Sequence, residues 1–482
     1  MKHSIGIKSI AIGLPKEYKT PDQIEKTLIN YDASKRTFKQ FCNDFLGTQI
    51  MYSASREEKV SDLMATAAKK AINRAGISIS DLSAIIVTTC SDNDKAASRA
   101  KVMKELGLDN ISGIDIRAGC SGFPTAMHWT KDFVSNTKNV PKDKFALYVC
   151  GDTLRKFLKP GDIVTNGLFS DGAVAIIVGQ CDEQYGFKAT YSKTRPALFE
   201  DAGNDIHGYI TLNGKVLKEE ALLRFPRLVK DAAEKNGWNI FDVKIAPHLM
   251  NGPINKAWRD AMCIPEENFV DAVHLYGNTS AASQGIAIYE LWKTNQLIKN
   301  TKVIGPAVGV GWDEAYTSFV MGEDLLPDKK KIRLLLIDDN DILAHSQSEM
   351  IELYFSKFSE LRYLNSLEID LAYSVDMAFN MLSKNKYDGI IADQRMPYES
   401  GGTGTDLLQK LKIINPNIVA VIVSGASEDS DRYIMTDLKN VVGYIEKPLI
   451  TNLLQDLNDP NPDNNKLRKL FNFFESYNLF QN

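Results

Sequence analysis

Short runs made almost wholly of apolar residues recur along this chain: LSAIIVTTC (82–90), KFALYVCGD (144–152), GAVAIIVGQ (172–180), DVKIAPHL (242–249) and KVIGPAVGV (302–310). A strand this apolar has no face to offer water, so it belongs in a sheet covered by helices on both sides. Amphipathic stretches lie between the runs. SDLMATAAKKAINRAGIS (61–78) is an example, with Ser61 and Asp62 at its start and Gly76 at its stop. The pattern is α/β, and it occurs twice. After GEDLLPDKKK (322–331) it begins afresh with IRLLLIDD (332–339), EIDLAY (368–373), DGIIADQ (388–394), IVAVIVSG (418–425) and GYIEK (443–447). The charged, proline-bearing stretch reads as a linker between two folding units.

At 482 residues the chain exceeds one ordinary core. The expected division is a domain over 1–322, a linker over 323–331, a second α/β domain over 332–450 and a helical tail over 451–482. In that tail Leu467, Leu470, Phe471, Phe474 and Leu479 share an apolar face suited to packing against a domain. Net charge is −4, which gives no reason to expect nucleic acid or an anionic lipid surface as partner. The opening lacks the apolar core of a signal peptide, and no stretch approaches the roughly 18 apolar residues of a membrane span. The six cysteines are scattered, without a CxxC pair, as in free thiols of a reducing cytoplasm. A cytoplasmic protein is expected.

Three stretches of the first domain carry reactive groups. Cys120, in IRAGCSGF, stands where a strand gives way to a helix-like pattern, a place that favours thiolate. His248 ends the apolar run DVKIAPHL, and Asn278 lies in YGNTSAAS at the start of another helix. Taken singly each is ordinary: a buried small residue, a structural histidine, a helix cap. Taken together, a thiolate, an imidazole and an amide can accept an acyl group and stabilise an oxyanion or enolate.

AGCSGF, LFSDGAVAIIVG (168–179), APHLMN (246–251), YGNTSAAS (276–283) and GPAVGVGW (305–312) stand in the order and spacing of β-ketoacyl-ACP synthase III, and the resemblance covers about residues 3–322. It implies a duplicated thiolase fold of five layers, αβαβα, in a homodimer, with Cys120, His248 and Asn278 as the catalytic triad. Backbone N–H groups at Cys120 and near Val308 and Gly309 would form the oxyanion hole. Acyl-CoA or an acyl carrier protein would supply the substrate, and acyl transfer would need no cofactor. Three departures bear on the substrate. The family's HQAN reads HLMN, keeping Asn251, and a glycine triplet becomes Ala307-Val308-Gly309. The stretch that clamps adenine falls on NDFLGTQI (43–50), without its Trp or Arg. Arg155 and Lys156 are the basic residues expected nearest a nucleotide. His128 and His274 read as structural.

In the second domain Asp338 and Asp339, Asp393, Ser424 and Lys447 each end a strand candidate, where ligands gather in open α/β sheets. Clustered carboxylates suit a hard cation, and a hydroxyl and a lysine can hold phosphoryl oxygens. The set resembles a response-regulator receiver, which implies a doubly wound (βα)5 flavodoxin-like fold. Asp393 would be the phosphoacceptor. Mg2+ would lie among Asp338, Asp339, Asp393 and the Arg395 carbonyl, and Ser424, Tyr444 and Lys447 would act as switch residues. A histidine kinase or phosphotransfer protein would be the partner. YESGGTGTDLL (398–408) is longer than the usual loop of such domains.

The leading expectation is a decarboxylative condensing enzyme modulated by phosphorylation. Two alternatives use the same residues: acyl transfer to an alcohol or amine without loss of CO2, and a non-catalytic scaffold that senses acyl groups.

Overall fold

A computed structural model describes residues 4–29, 31–92, 97–309, 313–325, 330–357, 365–393, 419–424, 441–446, 466–467 and 470–471. The chain divides into two compact units, Met1–Leu326 and Pro327–Asn482.

In the first unit, strands β1 (Ser4–Gly13), β2 (Leu82–Thr88), β3 (Ser112–Ile116), β4 (Phe145–Asp152) and β5 (Gly172–Cys181) form a sheet in the order β1-β5-β4-β2-β3. A second sheet holds β6 (Gly186–Thr194), β7 (Lys244–Ile245), β8 (Lys302–Val308) and β9 (Asp313–Val320), in the order β6-β9-β8-β7. The two sheets repeat one plan. Pairing runs antiparallel, antiparallel, parallel from β1 through β5 and β4 to β2. It does the same from β6 through β9 and β8 to β7. Where the first sheet adds β3, the second has a single parallel bridge from Ile245 to Phe269.

The helices fill matching places. α1 (Val60–Ala75) covers the outer face of the first sheet, burying Leu63, Met64, Ala67, Ala68 and Ala71 against Ile85, Val87, Leu147, Val149 and Ile177. α2 (Gly122–Val134) packs against β6 and β9, and α5 (Ser283–Lys293), buried over nearly its whole length, lies against β1, β5, β8 and α2. α3 (Gly214–Asn236) closes the outer face of the second sheet, with Phe225 stacked on Trp258 of α4 (Gly252–Ala261) at 3.7 Å between ring centroids. The layers are therefore helix, sheet, helices, sheet, helix. Alternating helical and two-sided apolar segments require this, because each inner sheet face can be dried only by the middle helices.

The second unit is built on a wholly parallel sheet, β10 (Lys330–Ile337), β11 (Asn365–Ala372), β12 (Gly389–Asp393), β13 (Val419–Ser424) and β14 (Val441–Glu446), in the order β11-β10-β12-β13-β14. Strand periodicity sorts its apolar residues. Ile332, Leu334 and Leu336 face α6 (Asp341–Lys357), while Leu335 and Ile337 face α7 (Val375–Lys384). The C-terminal apolar stripe belongs to this core. Leu467, Leu470 and Phe471 are buried on the α6 side, with the Phe471 ring 5.5 Å from that of Tyr354. Phe474 and Leu479 lie outside the described residues.

Candidate functional site

Cys120 sits in a single turn of 3-10 helix, Gly119–Ser121, between the end of β3 and the first residue of α2. The turn is pinned by the Ser121 hydroxyl, which donates to the Ala118 carbonyl at 3.0 Å. His248 stands just beyond β7. The N–H groups of Ala246 and His248 continue the ladder onto β8, donating to the carbonyls of Ile304 and Pro306 at 2.9 and 3.1 Å. A strand edge thus carries the imidazole to the end of the sheet. Asn278 is placed by its backbone, which pairs with the segment after Leu168: its N–H donates to Leu168, and its carbonyl accepts from Ser170. Gly277 before it has φ +63, and a Cβ there would lie 2.8 Å from that of Ser170, so only glycine fits the approach.

These three elements converge. Cys120, His248 and Asn278 line one cavity of about 390 Å³, walled largely by apolar side chains such as Leu168, Phe169, Leu217 and Met250. Cys120 and His248 are both buried, with 9% and 2% of their surface exposed. Burial pushes the His248 imidazole down to about 4, so it is neutral at physiological pH. Its Nδ1 is buried without a hydrogen-bond partner. The Asn278 amide is oriented from both ends. Its Oδ1 accepts from the Ser280 N–H at 2.9 Å, and its Nδ2 donates to the Met250 carbonyl at 3.2 Å. An amide nitrogen has two hydrogens, so a second remains for a ligand.

Other expected residues fall in different roles. Asn251 lines the cavity but caps α4, its Oδ1 accepting from the Ile254 N–H at 2.8 Å. Val308 and Gly309 also line it. The Gly309 N–H donates to the Asp313 carbonyl at 2.8 Å across the β8–β9 hairpin. Gly309 permits close packing, since a Cβ there would lie 2.8 Å from both the backbone N and the Oγ of Ser121. Arg155 and Lys156 do not line the cavity. The half-buried Arg155 guanidinium donates to the carbonyls of Asn166 and Phe169 at 3.0 and 2.7 Å, and the Lys156 amine donates to the carbonyls of Arg56 and Glu58. The charged side chains at the cavity are Asp44, Asp162 and Lys218. His128 bonds Thr190 at 3.1 Å, and neither it nor His274 reaches the cavity.

Sequence reading missed the surroundings of the thiol. The Ser280 hydroxyl, in a turn of 3-10 helix, lies 3.9 Å from the Cys120 Sγ and also from that of Cys90, two residues beyond β2, whose thiol in turn meets Asp152 at the end of β4. The positions of Cys90 and Asp152 at the ends of LSAIIVTTC and KFALYVCGD were the available signal.

In the second unit, Asp338, Asp339 and Asp393 each place a carboxylate oxygen within 4.8 Å of the others. Asp338 follows β10 and Asp393 ends β12, and both are buried while Asp339 is exposed. Hard carboxylate oxygens at this spacing suit a divalent cation. Arg395 and Lys447 lie outside the described residues, as do the side chains of Ser424 and Tyr444.

The model for 3-oxoacyl-[acyl-carrier-protein] synthase III matches residues 114–196, and that for the synthase III C-terminal region matches 233–319. The first holds Cys120 and the second holds His248 and Asn278. The β-ketoacyl-[acyl-carrier-protein] synthase III of Clostridium perfringens is 31% identical over 279 residues, 54% of this chain and 85% of that protein. The Helicobacter pylori enzyme of the same name is 30% identical over 343 residues, 66% of this chain and 99% of the relative. The crystal structure of the synthase III from Aquifex aeolicus superposes with a TM-score of 0.61 at 26% identity, covering 66% of this chain and 99% of that one. Fold, repeated sheet plan and sequence agree, and the chain belongs to the β-ketoacyl-[acyl-carrier-protein] synthase III family.

Proposed function

We propose that the first unit condenses an acyl group carried on Cys120 with a malonyl thioester. The observation that carries this reading is the convergence of Cys120, His248 and Asn278 on one apolar cavity. The Cys120 sulfur attacks the thioester carbonyl of a primer and expels its thiol, leaving an acyl-cysteine. A malonyl thioester then enters. His248, neutral, and the remaining Asn278 N–H donate to its thioester oxygen as CO2 leaves and the enolate forms. The enolate carbon attacks the acyl carbonyl, the Cys120 thiolate departs, and a β-ketoacyl thioester is released. The apolar walls exclude water that would hydrolyse the acyl-enzyme.

The donors are acyl-CoA or acyl carrier protein, and a carrier protein brings the malonyl group. A second copy of the chain pairs along β3, whose Ser112, Gly113 and Ile114 are exposed at the edge of the first sheet. Intact-mass measurement after exposure to a panel of acyl thioesters, with CO2 release from malonyl thioester, tests the reaction. The expected result is an adduct on Cys120, absent in Cys120→Ala, and CO2 release that depends on the acylated enzyme. An adduct without CO2 release would instead support transfer to an alcohol or amine.

Residues 332–450, within the second unit, are read as a receiver attached through 323–331. Support comes from the parallel order β11-β10-β12-β13-β14 and the three converging carboxylates. Asp338, Asp339 and Asp393 would hold Mg2+, which offsets charge as a phosphoryl group approaches, and Asp393 would accept that group from a histidine kinase or phosphotransfer protein. Incubation with acetyl phosphate and Mg2+ should add one phosphoryl group to the wild type and none to Asp393→Asn. Equal condensation rates before and after phosphorylation would remove the regulatory link.

A further inference from the structure

Two of the six cysteines approach one hydroxyl beside the turn that carries Cys120. The Sγ atoms of Cys90 and Cys120 each lie 3.9 Å from the same Ser280 hydroxyl. The Cys90 thiol also lies 3.4 Å from both carboxylate oxygens of Asp152, which is fully buried. That carboxylate gathers donors from several segments: the Thr89 hydroxyl, the Cys90 and Ser91 N–H groups, the Ser91 hydroxyl and the Ala281 N–H, all at 2.9–3.1 Å. Thr89 further bonds the Ile116 carbonyl, and the Arg117 guanidinium donates to the Cys90 carbonyl, both at 3.4 Å. The exit of β2 is thereby tied to the exit of β3, three residues before Cys120. The repeated sheet plan gives this placement a reason. Cys90 follows β2 as His248 follows β7, so the position that carries the imidazole in one half carries a second thiol in the other.

We propose that Cys90 is the resolving partner of Cys120, and that peroxides convert the pair into an intramolecular disulfide that closes the acyl-transfer site reversibly. The inference rests on the reactivity assigned to Cys120 above. The Cys120 thiolate attacks one peroxide oxygen, the O–O bond breaks, and hydroxide leaves as a sulfenic acid forms. The Cys90 sulfur then attacks the sulfenic sulfur. The S–S bond forms, the S–O bond breaks, the departing hydroxyl leaves as water, and the Cys90 proton passes to the adjoining Asp152 carboxylate and on to solvent. In sum, two thiols and one hydrogen peroxide give one disulfide and two waters. Burial and the neighbouring Asp152 charge hold the Cys90 thiol well above its ordinary value. It therefore stays protonated in the reduced enzyme and does not compete for the acyl group. Without it, a sulfenic acid on Cys120 would be open to irreversible oxidation.

The test treats the full chain with hydrogen peroxide, alkylates remaining thiols and maps the peptides. The wild type should lose two hydrogens, yield a peptide cross-linked between Cys90 and Cys120, lose thioester acylation by about tenfold or more, and regain it with dithiothreitol. Cys90→Ser, which keeps a donor for Asp152, should acylate within about twofold of wild type when reduced. After peroxide it should carry sulfinic or sulfonic acid on Cys120 and stay inactive in dithiothreitol. Cys90→Ala gives the same comparison without the donor. Sulfinic acid on Cys120 of the wild type with no cross-link would overturn the proposal, as would recovery of Cys90→Ser equal to wild type. Reduced wild type that forms the disulfide but is never acylated by any thioester would instead strike the condensing reading.

Discussion

At the scale of single residues, burial decides the chemistry of His248. Its imidazole is pushed from the ordinary 6.5 down to about 4. Between those values an unfolded chain binds a proton that the folded one refuses. Stability is therefore full above about 6.5 and is lost as pH falls toward 4, by an amount on the order of 3 kcal/mol. Condensation should accordingly hold level from neutral pH to about 5 and fall only near 4, measured as CO2 release against pH. A midpoint near 6.5 would mean that the imidazole is solvated. Gly309 supplies a steric counterpart. Gly309→Ala drives a methyl into the backbone of Ser121, so the acylation rate of Cys120 should drop about tenfold or more, followed by intact mass. The chain should remain folded, at a cost of about 1–3 kcal/mol in a urea melt.

At the scale of elements, the site depends on segments that carry no reactive group. Arg155 braces the carbonyls of Asn166 and Phe169, and that segment in turn pairs with the backbone of Asn278. The Arg155 backbone N–H also donates to Asp171, a buried carboxylate whose burial raises it to about 6. Arg155→Ala removes the charge-assisted bonds to the Asn166 and Phe169 carbonyls and leaves Asp171 only Lys156 as a nearby cation, so a loss of about 3 kcal/mol is expected in urea unfolding. A nucleotide-clamping arginine would instead raise the KM for a CoA thioester at unchanged stability. The sequence could not separate these roles, because a basic residue near a motif looks the same whether it turns outward or inward. Burial is a property of the fold.

At the scale of the whole molecule, two units hold two sets of cores, one around the paired sheets and one around the parallel sheet with Leu467, Leu470 and Phe471. Calorimetry should therefore resolve two unfolding transitions. Phe471→Ala should destabilise only the transition of the second unit, by about 3 kcal/mol, and leave the first in place. A single transition moved as a whole by that substitution would contradict separate cores.

The α/β class, and the motifs whose Cys120, His248 and Asn278 line one cavity, were legible in the sequence because each rests on local order. Apolar runs report two-sided strands, and AGCSGF, APHLMN and YGNTSAAS are contiguous motifs. What the tertiary structure alone decided lies in contacts between distant residues. Cys90 meets Asp152 from 62 positions away and Ser280 from 190, Gly309 abuts Ser121, and Arg155 turns inward. Periodicity reports which face a residue takes on its own element, and it holds no information about which other element covers that face. Only the parallel pairing of β2 with β3, and the Ser280 turn that approaches their exits, brings the second thiol toward the first.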